Sequence, residues 1–191
     1  MSKTPLLLAL LSLLAPAPAV VAGPPEGPSG RMVQDVVPGL TAEVKRLEKE
    51  VARDKSLAEE LDVARARLAA AQGRAREARA AWRKVIAARE ERLARVEAKF
   101  RKGLLCDLSD LALCRGHVAA ARCELAEVEG DREVLGRELP KVIDYWEARL
   151  AALRTLAKAS VIPPEEVEQG ETAIRKEFRQ ARQRLDAVKR R

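Results

Sequence analysis

Aromatic residues are nearly missing: two Trp, one Tyr and two Phe make up 3% of the chain. No rings interleave with the basic residues to stack bases, and the exported compartment read below argues the same way, so no nucleic-acid partner is expected. There is one histidine, His117, and spacing identifies no nucleophile beside it. No glycine-rich phosphate loop occurs either. Catalysis therefore has little to stand on, and the expectation is a non-enzyme without a cofactor. Alternating apolar and polar runs are also lacking, which argues against a sheet as scaffold. Beyond the first two dozen residues, no apolar stretch is long enough to cross a bilayer.

Charge and helix formers are abundant instead. Charged residues reach 34%, and Ala, Leu, Glu, Arg and Lys dominate. With a helical period, that composition belongs to coiled coils rather than globular enzymes. The fold expected is all-α.

The N-terminus reads as a signal peptide over residues 1–22. Lys3 supplies the positive start, Leu6 to Leu14 the apolar run, and Val20-Val21-Ala22 the small residues before a cut. An uncleaved anchor is the competing reading, but Leu6–Ala22 is short for a span and contains Pro16 and Pro18. No cysteine lies near the cut, which argues against a lipid-modified lipoprotein. A periplasmic or secreted protein is expected. Residues 23–39, rich in Pro and Gly, read as an extended linker. Residues 40–191 then form the helical domain, with Thr41 as a capping type at its start.

From Leu40 to Lys102 apolar residues recur at three- and four-residue steps with no proline among them. One continuous helix there would be roughly 90–95 Å long. It should stop at Gly103, a C′ glycine following Arg101 and Lys102. A second stripe runs over about 107–158, with a kink expected near Pro140, and Gly130-Asp131 is a further weak point. Pro164, Glu165 and Glu166 open a third, shorter helix over about 164–189. The first two helices then make an antiparallel hairpin. Its register would set Ala64 against Trp146, Ala71 against Leu139, Ala75 against Leu135 and Trp82 against Val128. The third would pack at the base and end level with Gly136–Pro140. Around the turns, Phe100 to Leu105 and Leu156 to Val161 recur at an offset of about 56 residues, a weak internal repeat.

Three groups of residues are candidates for function. Leu104, Leu105 and Leu108 crown the hairpin tip, where apolar residues either dock a partner or fold over the end of the seam. Arg65, Arg67, Arg74, Arg76, Arg79, Arg83 and Lys84 form a one-sided basic zone within a formal net charge of +7. It is either a solvated face or a contact for an anionic envelope surface. Cys106, Cys114, His117 and Cys123 share one window. On a helix, Cys114 and Cys123 point in nearly opposite directions and lie roughly 13 Å apart along the axis, so they cannot share one metal or bridge. Cys114 sits on the seam and Cys123 off it. A core thiol, an intermolecular disulfide and a metal site all stay open.

Alternation of Ala, Arg, Leu and Glu, as in Ala119-Ala-Ala-Arg-Cys-Glu-Leu-Ala-Glu-Val128, is followed by Lys158-Ala-Ser-Val-Ile-Pro-Pro-Glu-Glu-Val167 and Ala181-Arg-Gln-Arg-Leu185. Over roughly residues 45–188 this resembles the periplasmic coiled-coil hairpins of TolC-like outer-membrane efflux proteins and membrane-fusion adaptor proteins. The resemblance implies an accessory role in efflux or secretion, docking through the tip. The chain departs from it in having no barrel strands and no β-rich flanking modules. The broader expectation is a structural or protein-interaction module of the bacterial envelope, with a protein partner or a second copy of the chain. A redox- or metal-responsive module using the cysteine window is the third reading.

Overall fold

The computed structural model describes residues 30–104, 108–159 and 161–190, with side chains described from residue 36 and, in the second segment, from residue 110. The signal segment 1–22 and Cys106 fall outside the described residues. Among those described, all regular structure is helical, without strands. Six α-helices follow one another: α1 Gly30–Val51, α2 Ala58–Ala71, α3 Ala75–Arg101, α4 Leu108–Glu129, α5 Arg132–Lys158 and α6 Pro164–Lys189. A 3₁₀ turn, Lys55–Leu57, lies between α1 and α2.

Each helix packs mainly against the next in sequence. Short connections make such neighbours antiparallel. The result is an up-and-down array, and it replaces the continuous helix expected over 40–102. The decisive pairs are ones a straight helix would hold far apart. Asp62 and Lys84 would be separated by roughly 33 Å at 1.5 Å per residue, yet their carboxylate and ammonium are 2.8 Å apart. Leu47 and Leu61 would be separated by roughly 21 Å, yet both lie in one buried cluster with Val44 and Ala64.

The breaks have local causes. Asp54 leaves the helical region, and its carboxylate accepts the Ser56 N–H at 2.9 Å. That turn ends α1 and starts the return. Gly73 has φ +71°; its N–H donates to the carbonyl of Ala70 and that of Arg74 to Ala69. This pair of bonds is the Schellman closure, which needs a residue in the left-handed region. Gly103 (φ +65°) and Gly130 (φ +72°) close α3 and α4 in the same way, through Phe100 and Lys99 and through Glu127 and Ala126. The chain therefore reverses at Gly130, where Asp131 caps α5 by accepting the Val134 N–H at 3.0 Å. The second rod over 107–158 is thus two helices.

At the N-terminal side, Gly30–Gly39 is helical where a linker was expected, with Pro38 inside α1. Thr41 is not a cap: its hydroxyl donates to the carbonyl of Val37, one turn back. Helix α5 runs through Pro140, which lies on an exposed face. Helix α6 begins at Pro164 as expected, and its C-terminal Val188 lies against Gly136. That is the level expected for it.

The register of α3 with α4 was readable. Arg83, Glu90 and Glu97 descend α3 in steps of seven, and pair with Glu129, Arg122 and Arg115, which climb α4 in steps of seven, at 2.9, 2.6 and 3.0 Å. Trp82 and Val128 meet in the cluster between these helices, as expected. The other three pairings do not form one seam: Ala64 and Trp146 line the same cavity but belong to different clusters. Ala64 packs with Val44, Leu47 and Leu61, and Ala75, the first residue of α3, is exposed. Leu139 and Leu135 belong to the α4–α5–α6 cluster. Both they and Ala71 were assigned to a seam that a break at Gly73 abolishes.

A helix with a neighbour on each side needs two apolar seams. On α4, Ala121 faces Trp82 and Val85 of α3, while Ala119, Cys123 and Ala126 face Leu139 and Trp146 of α5. Val63, Ile86 and Ile143, surplus to a two-helix hairpin, fill second seams here.

Candidate docking surface and polar centre

Alternating directions put the C-terminus of α3, the N-terminus of α4, the C-terminus of α5 and the N-terminus of α6 at one end of the array. Among the described residues, the large apolar side chains left exposed are Phe100 (42%), Leu104 (57%), Leu156 (42%) and Val161 (57%). All four flank the two turns at that end, where a monomer has no folding reason to concentrate them. Phe100 and Leu156 occupy matching positions of the internal repeat. Both turns close with the same kind of bond, one residue later in the second: the Leu104 N–H donates to Lys99 and the Val161 N–H to Leu156, both at 3.1 Å.

Beside this end face opens an apolar trough of about 290 Å³ between α4, α5 and α6. Leu113, Trp146, Leu153, Leu156, Ile162 and Ile174 line it, and Asp110, Glu166, Glu177 and Arg149 supply its charge. The Arg149 guanidinium donates to the Tyr145 hydroxyl at 3.1 Å. Of the expected docking residues, Leu104 is exposed at the end face. Leu105 lies outside the described residues, and Leu108 is the first residue of α4 with its side chain outside them. Sequence reasoning missed Phe100, Leu156 and Val161 as members of the same face, because it placed the second turn at the base rather than at the tip.

The interior holds a polar centre, a cavity of about 200 Å³ to whose wall all six helices contribute. Arg89, from α3, ties three helices: its Nε meets Glu59 of α2 at 2.8 Å and its Nη1 donates to the His117 carbonyl of α4 at 2.8 Å. The His117 ring lies edge-on to Tyr145, with centroids 5.7 Å apart. Burial, reinforced by the Arg89 charge, holds the His117 imidazole down to about 4, so it is neutral at physiological pH. Farther along, Arg184 of α6 sits between Glu127 at 2.6 Å and Glu124 at 3.5 Å. Burial still pushes the Glu127 carboxyl up to about 7, against the pull of Arg184. Burial likewise raises Glu177, whose Oε1 has no hydrogen-bond partner among the described residues.

Cys114 is buried, and Cys123 more so at 1% exposure. Cys123 was expected off the seam; it lies on the second seam of α4, against α5 and α6. Burial raises its thiol to about 12, leaving a poor nucleophile and ligand. Among the described residues, no group of three His, Cys, Asp or Glu side chains is placed to hold a metal.

The basic zone is divided by the Gly73 turn. Arg65 meets Glu48 at 2.8 Å, Arg83 meets Glu129 at 2.9 Å and Lys84 meets Asp62. Arg74 pairs with Glu77. Arg67 lines the polar centre, and Arg76 and Arg79 are exposed. Much of the positive charge thus serves helix pairing rather than a continuous patch.

Comparison with known proteins adds no relative: no protein family matches the sequence, and neither curated proteins nor solved structures do. No helix of the described residues is long and apolar enough to cross a membrane.

Proposed function

We propose that this chain is an exported, non-enzymatic interaction module of the bacterial envelope that docks a protein through the end face of its helical array. The observation that carries the reading is the gathering of Phe100, Leu104, Leu156 and Val161 around two turns at one end. Aromatic and large aliphatic anchors beside a preformed trough are the usual centre of a protein interface. Export rests on the Lys3, Leu6–Leu14 and Val20–Ala22 pattern. The non-enzymatic reading is supported by the chemistry of the interior: a neutral His117 edge-on to a tyrosine, a suppressed Cys123 thiol, and Glu59 and Glu127 engaged with Arg89 and Arg184. An accessory role in a TolC- or adaptor-like assembly would use the same end face.

The test is capture from envelope extract by the tagged protein. Wild type should retain a defined protein, and Phe100→Ser with Leu104→Ser should lose it while helicity is kept. Undiminished capture by the double variant would move docking away from this end. N-terminal sequencing of the exported protein should begin at Gly23.

A further inference from the structure

The end face has two unlike margins. On the α3 margin, Phe100 and Leu104 project, flanked by the exposed Lys99, Arg101 and Lys102. On the α6 margin lies the apolar trough, whose lining carries three carboxylates, Asp110, Glu166 and Glu177, against one guanidinium, Arg149, with the exposed Glu165 beside it. A basic apolar knob and an acid-rimmed apolar hollow thus sit on opposite sides of one surface. A two-fold axis through the middle of that surface brings the knob of each copy onto the hollow of the other. Such a self-complementary arrangement is what an isologous dimer requires. The helix ends add in part to the match: the N-termini of α4 and α6 lie at the acidic margin, beside the C-terminus of α5 with its Lys158, and the basic margin carries the C-terminus of α3.

We propose that two copies join end to end about a two-fold axis, with Phe100 and Leu104 of each copy seated in the trough between α4, α5 and α6 of the other. Lys99, Arg101 and Lys102 then face Asp110, Glu165 and Glu166 across the contact. Among the described residues, the contact covers the four exposed large apolar side chains at once, since Leu156 lines the hollow and Val161 precedes Ile162, which also lines it. Electrostatic pairing at such a rim sets orientation and salt dependence, while the knob supplies the buried area. The inference rests on the end face being an interaction surface, as proposed above, and specifies its occupant as a second copy.

Sedimentation equilibrium of the purified full chain tests it. Wild type should be a dimer whose dissociation constant weakens as salt is raised. Phe100→Asp with Leu104→Asp should weaken it at least tenfold. Glu165→Lys with Glu166→Lys should do the same, and adding Arg101→Glu with Lys102→Glu to that chain should restore most of the loss. These side chains are on the surface or line the trough, so far-UV circular dichroism should show unchanged helicity in every variant. A wild type that stays monomeric at all concentrations overturns the proposal, as does a dimer indifferent to the knob substitutions, or charge reversals that add rather than compensate. A monomeric wild type that still captures an envelope protein through Phe100 and Leu104 overturns self-association alone and leaves the docking role standing.

Discussion

The ring of Tyr145 occupies the space that a Cβ on Gly116 would need. A Cβ built there falls 2.7 Å from the Tyr145 Cβ and closer still to the ring. Gly116 lies in the middle of α4, where glycine normally costs helix stability relative to alanine. The glycine is there so that α5 can approach, which also sets the ring edge-on to His117. Gly116→Ala should therefore destabilise, by about 1–3 kcal/mol as overpacking does, against the ordinary trend. Gly39, in α1 with nothing within 4 Å of its would-be Cβ, is the control. Gly39→Ala should stabilise by about 0.5–1 kcal/mol. Urea midpoints of the two variants, at unchanged slope, should move in opposite directions.

Gly73, Gly103 and Gly130 matter for another reason. Each has open space where a Cβ would go but a φ near +70°. Replacing any of them with Ala should cost about 1–2 kcal/mol from the left-handed backbone alone, and Asn should cost less. If Gly73→Ala were neutral, the reversal between α2 and α3 would have to be closed by something other than the Ala69 and Ala70 carbonyls. Thermal midpoints of the six variants, Ala and Asn at each site, decide it.

These glycines also show what could be read from the sequence. Gly103 was legible because Arg101 and Lys102 precede it and Leu104 and Leu105 interrupt the pattern. Gly73 was not, because the step from Ala71 to Ala75 keeps the helical period across the turn. A stripe that continues in phase hides a reversal from any argument based on period. The signals were local ones, Gly73 after an alanine-rich turn and Asp54 two residues before Ser56, and they were outvoted by the longer pattern. Trp82 with Val128 came out right because α3 and α4 really are joined at Gly103. Ala64 and Trp146 line one cavity but share no seam, because the unseen reversals at Gly73 and Gly130 put them in different clusters. The docking face suffered the same way: Leu104 was found, while Leu156 was placed at the opposite end of an imagined rod.

His117 and Glu127 should pull acid stability in opposite directions. In the unfolded chain an imidazole titrates near 6.5, whereas folded His117 titrates near 4. Between those values the unfolded state binds more protons, so stability rises with pH from about 4 to 6.5 on account of this group. Arg89, Arg92 and Arg149 oppose the protonated ring and Glu59 favours it. Glu127 is the reverse. Its folded value near 7 lies above the 4.5 of an ordinary Glu, so its contribution falls as pH rises through that window. His117→Gln should flatten the acid limb of a stability-versus-pH curve, removing on the order of 1–3 kcal/mol of its rise. Glu127→Gln should flatten the fall towards pH 7 instead. Urea midpoints between pH 4 and 8 measure both, and an unchanged acid limb in the His117 variant would contradict the burial assigned to it.

Cys123 should behave as a core thiol even though the window around it suggests redox or metal chemistry. It lies on the α4 seam at 1% exposure, and its thiol is raised to about 12. At pH 8 that leaves roughly one thiolate in 10⁴, before access is considered. In a chain carrying Cys106→Ser and Cys114→Ser, a disulfide reagent should therefore label Cys123 at least 10³-fold more slowly than it labels the same chain in urea. The labelling rate should follow opening of the α4–α5–α6 cluster, accelerating with sub-denaturing urea as local unfolding does. It should also accelerate in Leu139→Ala, which hollows the core that Cys123 shares. Labelling as fast in the folded chain as in urea would place the thiol at the surface, and would return the cysteine window to the list of functional sites.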